Sequence, residues 1–299
     1  MVKKISGKEG RFQQEMAEIE VSSELCYETF GRTDMLLKIA VMNTQAQTIK
    51  TEEIRIDPHL NFLELDRKPG ENRLIRLSLQ TDTQFVISYK ATVDLKLNLE
   101  KPKDLRETDI SMLPEYVFKY LNPSRYCESE ELTRLALDTF GDMPKGYLRV
   151  QQVSDWVNNH LSYIPGSSNS STTAQQAMLN KKGVCRDYAH LAISLCRSLG
   201  IPARYLSGYA VNLQPPDFHG FFEVYLDGAW YLFDPTRLAS TDKLIRIATG
   251  LDAAETAFNT IFGSANLLYM NVLAVDLSNQ DKSQEQFVNS NQLAVSTMK

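Results

Sequence analysis

Residues 172–236 read TTAQQAMLNKKGVCRDYAHLAISLCRSLGIPARYLSGYAVNLQPPDFHGFFEVYLDGAWYLFDPT. Thr173 followed by Gln176 fits a capping box for a short helix, AQQAML. Lys181, Lys182 and Gly183 break that helix, and a longer one starts at about Cys185. Its apolar stripe is Tyr188, Leu191, Ala192, Leu195 and Leu199, and Gly200 and Pro202 end it. Two aromatic-rich runs follow, His219–Leu226 and Ala229–Asp234. The Asp227-Gly228 pair between them is a strong hairpin signal.

The chemistry of this stretch starts at Cys185. A helix N-terminus presents unpaired N–H groups and a partial positive charge, which together favour a thiolate. The same N–H groups can hold an oxyanion on an attacked carbonyl. His190 lies five residues further on, about 140° around the helix. It points away from Cys185 and reads as a packing or capping residue. Asp187, about 200° away, reads as an electrostatic support for the helix start. Cys196 lies roughly 16 Å along the same helix and reads as a small buried packing residue.

The hairpin supplies a base instead. With Asp227 and Gly228 in the loop, Leu226 faces Ala229, Tyr225 faces Trp230 and Phe221 faces Asp234. His219 is then on the same sheet face as Asp234 and diagonal to it, roughly 7–8 Å away at the backbone. A four-residue loop keeps this register, whereas a three-residue loop breaks it. An imidazole beside a carboxylate is the arrangement that fixes a tautomer and stabilises an imidazolium. The alternative is a surface His and a turn Asp before Pro235.

Outward from this stretch, the 299 residues are 43% hydrophobic and 23% charged, which predicts a packed globular protein. The net charge is -5 and there is no long Lys/Arg block, so a nucleic-acid partner is not expected. The opening MVKKISGKEGRFQQEM has basic residues but no apolar run behind them, so no secretory signal is read. No apolar stretch is long enough to span a bilayer. A cytoplasmic protein without a membrane partner is expected. Four scattered cysteines, Cys26, Cys127, Cys185 and Cys196, form no CxxC pair, so neither a metal nor a cofactor is expected.

Upstream, residues to about Met16 read as a loose arm, and Ala17 to about Leu99 is strand-like. Phe85, Ile87, Tyr89, Ala91, Val93, Leu95, Leu97 and Leu99 occupy successive odd positions, which predicts a long strand with one buried face. Residues 66–72, DRKPGEN, supply a turn before another alternating run at Ile75, Leu77 and Leu79. The expectation is an antiparallel β-sandwich. His59 reads as a solvated loop residue. A helix carries Leu132, Leu135, Ala136, Thr139 and Phe140, and Gly141 stops it. Another carries Val150, Val153, Val157 and Leu161, with Trp156 read as core. After Thr236, a strand is expected at 244–247, helix at 252–262 and a strand at 267–277, completing the sheet of the hairpin. From Asn279 the polar tail reads as mobile. The expected domains are 1–103 (β-rich), 104–278 (catalytic) and 279–299 (tail).

GVCRDYAHLAISLCRSLGIPARYLSGY followed by HGFFEVYLDGAWYLFDPT resembles the bacterial transglutaminase-like superfamily with its papain-like core. The Cys motif is carried by Gly183-Val184-Cys185 with Asp187. The His motif is carried by His219 and Glu223, and the Asp motif by Phe233-Asp234-Pro235-Thr236. The β-rich first part also looks like the N-terminal domain that often precedes this core in bacteria. The resemblance implies an α+β fold, an N-terminal antiparallel sandwich followed by a Cys-bearing helix packed on an antiparallel sheet, with Cys185 facing the hairpin. It implies a catalytic Cys185, His219 and Asp234 acting on a peptide or protein substrate through a thioester. Hydrolysis is expected over amine transfer, since nothing marks an amine tunnel. A non-catalytic peptide-binding scaffold is the reading from another class. The family commonly has Ala-Trp after the His, where this chain has Gly220-Phe221. Tyr163 in SYIPG is a candidate side-chain partner for the oxyanion.

Overall fold

The computed structural model describes residues 13–65, 68–279 and 293–298. The first strands are β1 (Gln13–Leu37), β2 (Gln47–Asp57), β3 (Phe62–Leu65), β4 (Leu74–Leu79) and β5 (Thr83–Glu100). The odd-position alternation in β5 is real: from Phe85 to Leu99 none of those side chains is more than 5% exposed. β5 pairs antiparallel with β1 on one side and β2 on the other. β4 continues the ladder beside the end of β1, and β3 beside β4. Within the turn before β4, Lys68 accepts a hydrogen bond from the Glu71 N–H at 2.9 Å, and Gly70 supplies the positive φ, +88°. Asp66 and Arg67, also read as part of that turn, lie outside the described residues. Gln13–Met16, expected in a loose arm, pair with Leu99–Lys96. The length of β5 satisfies their backbone although Gln13, Gln14 and Glu15 are polar.

The helices and the second set of strands follow. They are α1 (Ser129–Phe140), α2 (Tyr147–His160), β6 (Ser162–Tyr163), α3 (Ala174–Asn180), β7 (Lys182–Gly183), α4 (Cys185–Ser198), β8 (Ala203–Ala210), β9 (His219–Leu226), β10 (Ala229–Phe233), β11 (Leu244–Gly250), α5 (Ala253–Thr256), β12 (Asn259–Asp276) and β13 (Ala294–Met298). A central sheet runs in the order β11-β8-β9-β10, all antiparallel. One face, with Ala203, Phe222, Val224, Tyr231 and Phe233, packs on α4 and its neighbouring helices. Leu206, Tyr209, Phe221, Leu232 and Ile245 instead share a core with β1, β4 and β5. The fold is α+β, and the layer that the N-terminal sheet packs on is the central sheet. Both faces of β8 and β9 are buried, the charged Arg204 and Glu223 included.

Polar contacts tie the layers. The Tyr209 hydroxyl donates to the Ile39 carbonyl at 2.8 Å, and its ring stacks on Tyr89. The fully buried Gln47 amide accepts the Arg246 N–H at 2.7 Å and donates to the Arg246 carbonyl at 3.2 Å.

Three expectations after Thr236 change. Helix is confined to the four residues of α5 rather than filling 252–262. Asn259–Phe262 are already strand, paired with Leu37–Asp34. β12 joins β1, from Leu37↔Asn259 to Ile19↔Asp276, rather than completing the central sheet. Strand pattern fixes which residues face inward but not which neighbour they pair with. The 104–278 segment therefore lends a strand to the N-terminal sheet. Finally, the tail is not all loose. Residues 280–292 lie outside the described residues, but β13 bridges β10 and β5 and buries Ala294 and Val295. No helix among the described residues is long and apolar enough to cross a membrane.

Candidate active site

α4 begins at Cys185, as its sequence predicts, after an extended Val184. The entry is tight: a Cβ on Gly183 would lie 2.6 Å from the Asp187 Cβ. The buried Asp187 carboxylate accepts the Val184 N–H at 2.8 Å and the Ser168 hydroxyl at 2.9 Å. Burial raises the Asp187 pKa by more than these bonds lower it. Asp187 thus caps the helix that presents Cys185. The short β6–β7 pair sets Tyr163 opposite Gly183. Burial and the nearby Cys185 sulfur raise the Tyr163 pKa, outweighing the Cys185 backbone N–H, which lowers it.

On the hairpin, Asp227 and Gly228 both have positive φ, +46° and +84°, the two-residue turn that preserves strand twist. The register is Ala229↔Leu226 through Phe233↔Phe222, which carries Asp234 to the level of Phe221. His219 Nε2 lies 2.9 Å from Asp234 Oδ2. The remaining acceptor capacity of Asp234 is filled by the Thr236 N–H at 3.0 Å, the Thr236 hydroxyl at 2.7 Å and the Ala239 N–H at 3.0 Å. The Cys185 side chain is the other group near enough to act on His219. Since Nε2 is taken by Asp234, Nδ1 is the nitrogen left for sulfur. Burial pulls the His219 pKa down, but Asp234 and Cys185 outweigh it and raise it to about 10. Burial likewise pushes Asp234 up, and the His219 charge and the Thr236 bonds bring it net below the ordinary carboxylate value. The Phe221 ring stacks on His219 with centroids 6.2 Å apart, so the aromatic platform survives the Gly220-Phe221 departure. Gly220 has its own reason. A Cβ there would come within 2.1 Å of the Tyr205 hydroxyl, so the bare glycine makes room for that ring.

Other candidates are set apart from this cluster. His190 is fully buried, stacks on Tyr126, and accepts the Ala253 N–H at 3.1 Å. Burial, helped by Arg186 and Arg197, keeps it neutral by holding its pKa well below the ordinary value. Cys196 is fully buried, and burial raises its thiol pKa. His59 is an exposed loop residue, and Trp156 is half-buried against Phe140.

Cys185 and His219 open into a cleft of about 650 Å³. Arg125, Tyr126, Tyr205, Phe258 and Ile261 also line it. None of these five was legible as a site residue, because they reach the cleft from a loop, β8 and the start of β12. The arrangement joins an accessible sulfur, a charged imidazole and a carboxylate with no spare lone pair. It is suited to nucleophilic attack with proton transfer.

The sequence pattern of the Transglutaminase-like superfamily matches residues 133–235, and that of the Bacterial transglutaminase, N-terminal domain matches residues 17–116. A crystal structure from Cytophaga hutchinsonii, provisionally assigned as a cysteine protease, is 36% identical with a TM-score of 0.90. It covers 96% of this chain and 100% of that one. The uncharacterised Mycobacterium leprae protein ML0607 is 33% identical over 111 residues, 34% of this chain and 39% of that protein. Rv2569c of Mycobacterium tuberculosis, also uncharacterised, is 31% identical over 81 residues, 27% of this chain and 26% of that protein. This chain therefore spans well under half of those two mycobacterial relatives. Its likeness to the Cytophaga chain runs end to end, across both the β-rich part and the Cys-His-Asp core, and with it the chain belongs to the transglutaminase-like superfamily, carrying a bacterial transglutaminase N-terminal domain ahead of the core.

Proposed function

We propose that the protein is a cysteine peptidase or amidase in which Cys185 is the nucleophile, His219 the proton carrier and Asp234 the group that orients His219. The observation carrying this reading is the 2.9 Å His219–Asp234 hydrogen bond beside Cys185, at the first turn of α4, with Cys185 and His219 opening into one cleft. The Cys185 sulfur attacks the carbonyl carbon of a peptide or carboxamide, forming a C–S bond. The Cys185 backbone N–H holds the oxyanion. Imidazolium at His219 then gives its proton to the leaving nitrogen as the C–N bond breaks, leaving a thioester. His219 next removes a proton from water, whose oxygen attacks the thioester; the acid departs and the thiol is restored. An amine in place of water would give transglutaminase chemistry. The substrate is proposed to be a cytoplasmic peptide or protein.

Iodoacetamide near neutral pH should label Cys185 ahead of the three buried cysteines and ahead of free glutathione. Glutamine-containing peptides offered with a tagged amine should yield free acid faster than amine adduct. Adduct outrunning acid would replace hydrolysis by amine transfer. Labelling of Cys185 no faster than glutathione, with no turnover, would favour a non-catalytic peptide-binding scaffold.

A further inference from the structure

The wall of the cleft beside Cys185 carries two guanidinium groups. Arg125 and Arg186 both line it, and both lie close to one ring, with Cζ atoms 5.1 and 5.2 Å from the Tyr126 centroid. That ring is fixed, since Tyr126 is buried, stacks on His190, and its hydroxyl donates to the Ser170 carbonyl at 2.7 Å. Its backbone N–H is held by Asp252 at 2.9 Å. Two cations are thus gathered around one fixed ring.

The pair is not fully neutralised: two guanidinium groups face one carboxylate within ion-pair distance among the described residues. Arg125 is exposed and has no acidic partner within ion-pair distance among them. Arg186 has one acidic neighbour, Asp187, with Nε 3.9 Å from Oδ1. That carboxylate is already committed to the Val184 N–H and the Ser168 hydroxyl. Arg186 itself bonds neutral oxygens, the Ser168 hydroxyl at 3.1 Å and the Asn169 carbonyl, while its buried Nε has no acceptor. The acid that lines the cleft itself, Asp217, has His219 as its charged neighbour. Guanidinium forks match carboxylates in geometry, and a partly enclosed wall strengthens the attraction.

We infer that Arg125 and Arg186 form a carboxylate-binding subsite, and that the acyl donor is a peptide bearing a free carboxylate close to the carbonyl that Cys185 attacks. This rests on the reading of Cys185 as the nucleophile. The carboxylate is either a chain terminus or an Asp or Glu side chain.

Three alkylating probes test this on the full chain. N-chloroacetyl-glycinamide is neutral, N-chloroacetyl-glycine carries a terminal carboxylate, and N-chloroacetyl-aspartic acid α-amide carries a side-chain one. In each, the Cys185 sulfur displaces chloride, forming a C–S bond as the C–Cl bond breaks. The readout is the ratio of anionic to neutral alkylation rates at Cys185, measured by mass spectrometry, so each variant serves as its own reference. For at least one anionic probe the ratio should fall by about two- to fivefold in Arg125→Gln, the scale of one partly exposed ion pair. It should fall further in Arg125→Glu, and in the unsubstituted protein it should fall as salt is raised. The probe that responds identifies the carboxylate source. Arg125 is exposed, so its variants avoid the folding risk carried by Arg186→Gln. Ratios for both anionic probes that are unchanged in Arg125→Gln and Arg125→Glu would overturn the subsite. A slow absolute rate with the neutral probe would instead count against Cys185 as an activated nucleophile, while the ratio would still report on the arginines.

Discussion

Burying an imidazole ordinarily strips its proton, as at His190. At His219 the Asp234 carboxylate and the Cys185 sulfur reverse that outcome and hold the charge to about pH 10. The sign of the stability effect follows. His219 has its folded pKa raised, so its contribution is complete below the ordinary histidine value. It declines as pH rises and is lost through about 10. Asp234 has its folded pKa lowered, so its contribution is present above the ordinary carboxylate value and is lost as pH falls below it. The stability gap between the unsubstituted protein and His219→Gln, measured by urea unfolding at pH 6, 8 and 10, should narrow steadily. A gap independent of pH would contradict the charged pair. Gly220 makes a second prediction at this scale. Gly220→Ala forces a methyl against the Tyr205 hydroxyl and should cost about 1–3 kcal/mol, the usual range for overpacking. Adding Tyr205→Phe should restore part of that loss, and two additive penalties would rule out the contact as the cause. Cys185 at a helix start and His219 on one face with Asp234 could be read in the sequence because helix phase and strand parity are local, whereas that the two face each other came from the family resemblance. Tyr205 and Arg125 could not, since each enters the cleft from a distant segment.

Two elements present the site, and both have local causes. α4 starts where Gly183 allows close approach and Asp187 takes the Val184 N–H. The β9–β10 register follows from a turn with two positive-φ positions, Asp227 and Gly228. β13 is an element of another kind. Its polar surroundings in sequence conceal Ala294 and Val295, which are buried between β10 and β5. Ending the chain after residue 292 should uncover the edges of both strands and lower stability by about 2–4 kcal/mol, from the apolar side chains alone. Urea denaturation of the shortened chain reads this, and an unchanged midpoint would show that β13 contributes nothing. The hairpin was legible because both of its strands and its turn are contiguous. β13 was not, because a five-residue strand acquires its meaning from partners nearly seventy and two hundred residues away.

Across the whole molecule, the N-terminal and central strands run into one sheet through β13 and share one apolar core, and Tyr209 and Gln47 add hydrogen bonds between them. Residues 104–278 produced alone would leave Leu206, Phe221, Leu232 and Ile245 uncovered and β12 without β1. That fragment should be insoluble, or compact without fixed packing, whereas the full chain should unfold in one transition. A soluble fragment with native near-ultraviolet dichroism would show that the N-terminal sheet is dispensable. By itself the sequence determined the buried face of β5, the first residue of α4 and the hairpin that pairs His219 with Asp234. Each of these is fixed by periodicity, capping or turn chemistry within a few residues. Only the tertiary structure decided that β12 lies on β1, that the central sheet is buried on both faces, and that two arginines border the cleft. The physical reason is that strand pairing and cleft composition depend on long-range burial, which any sufficiently apolar strand can satisfy and no local pattern specifies.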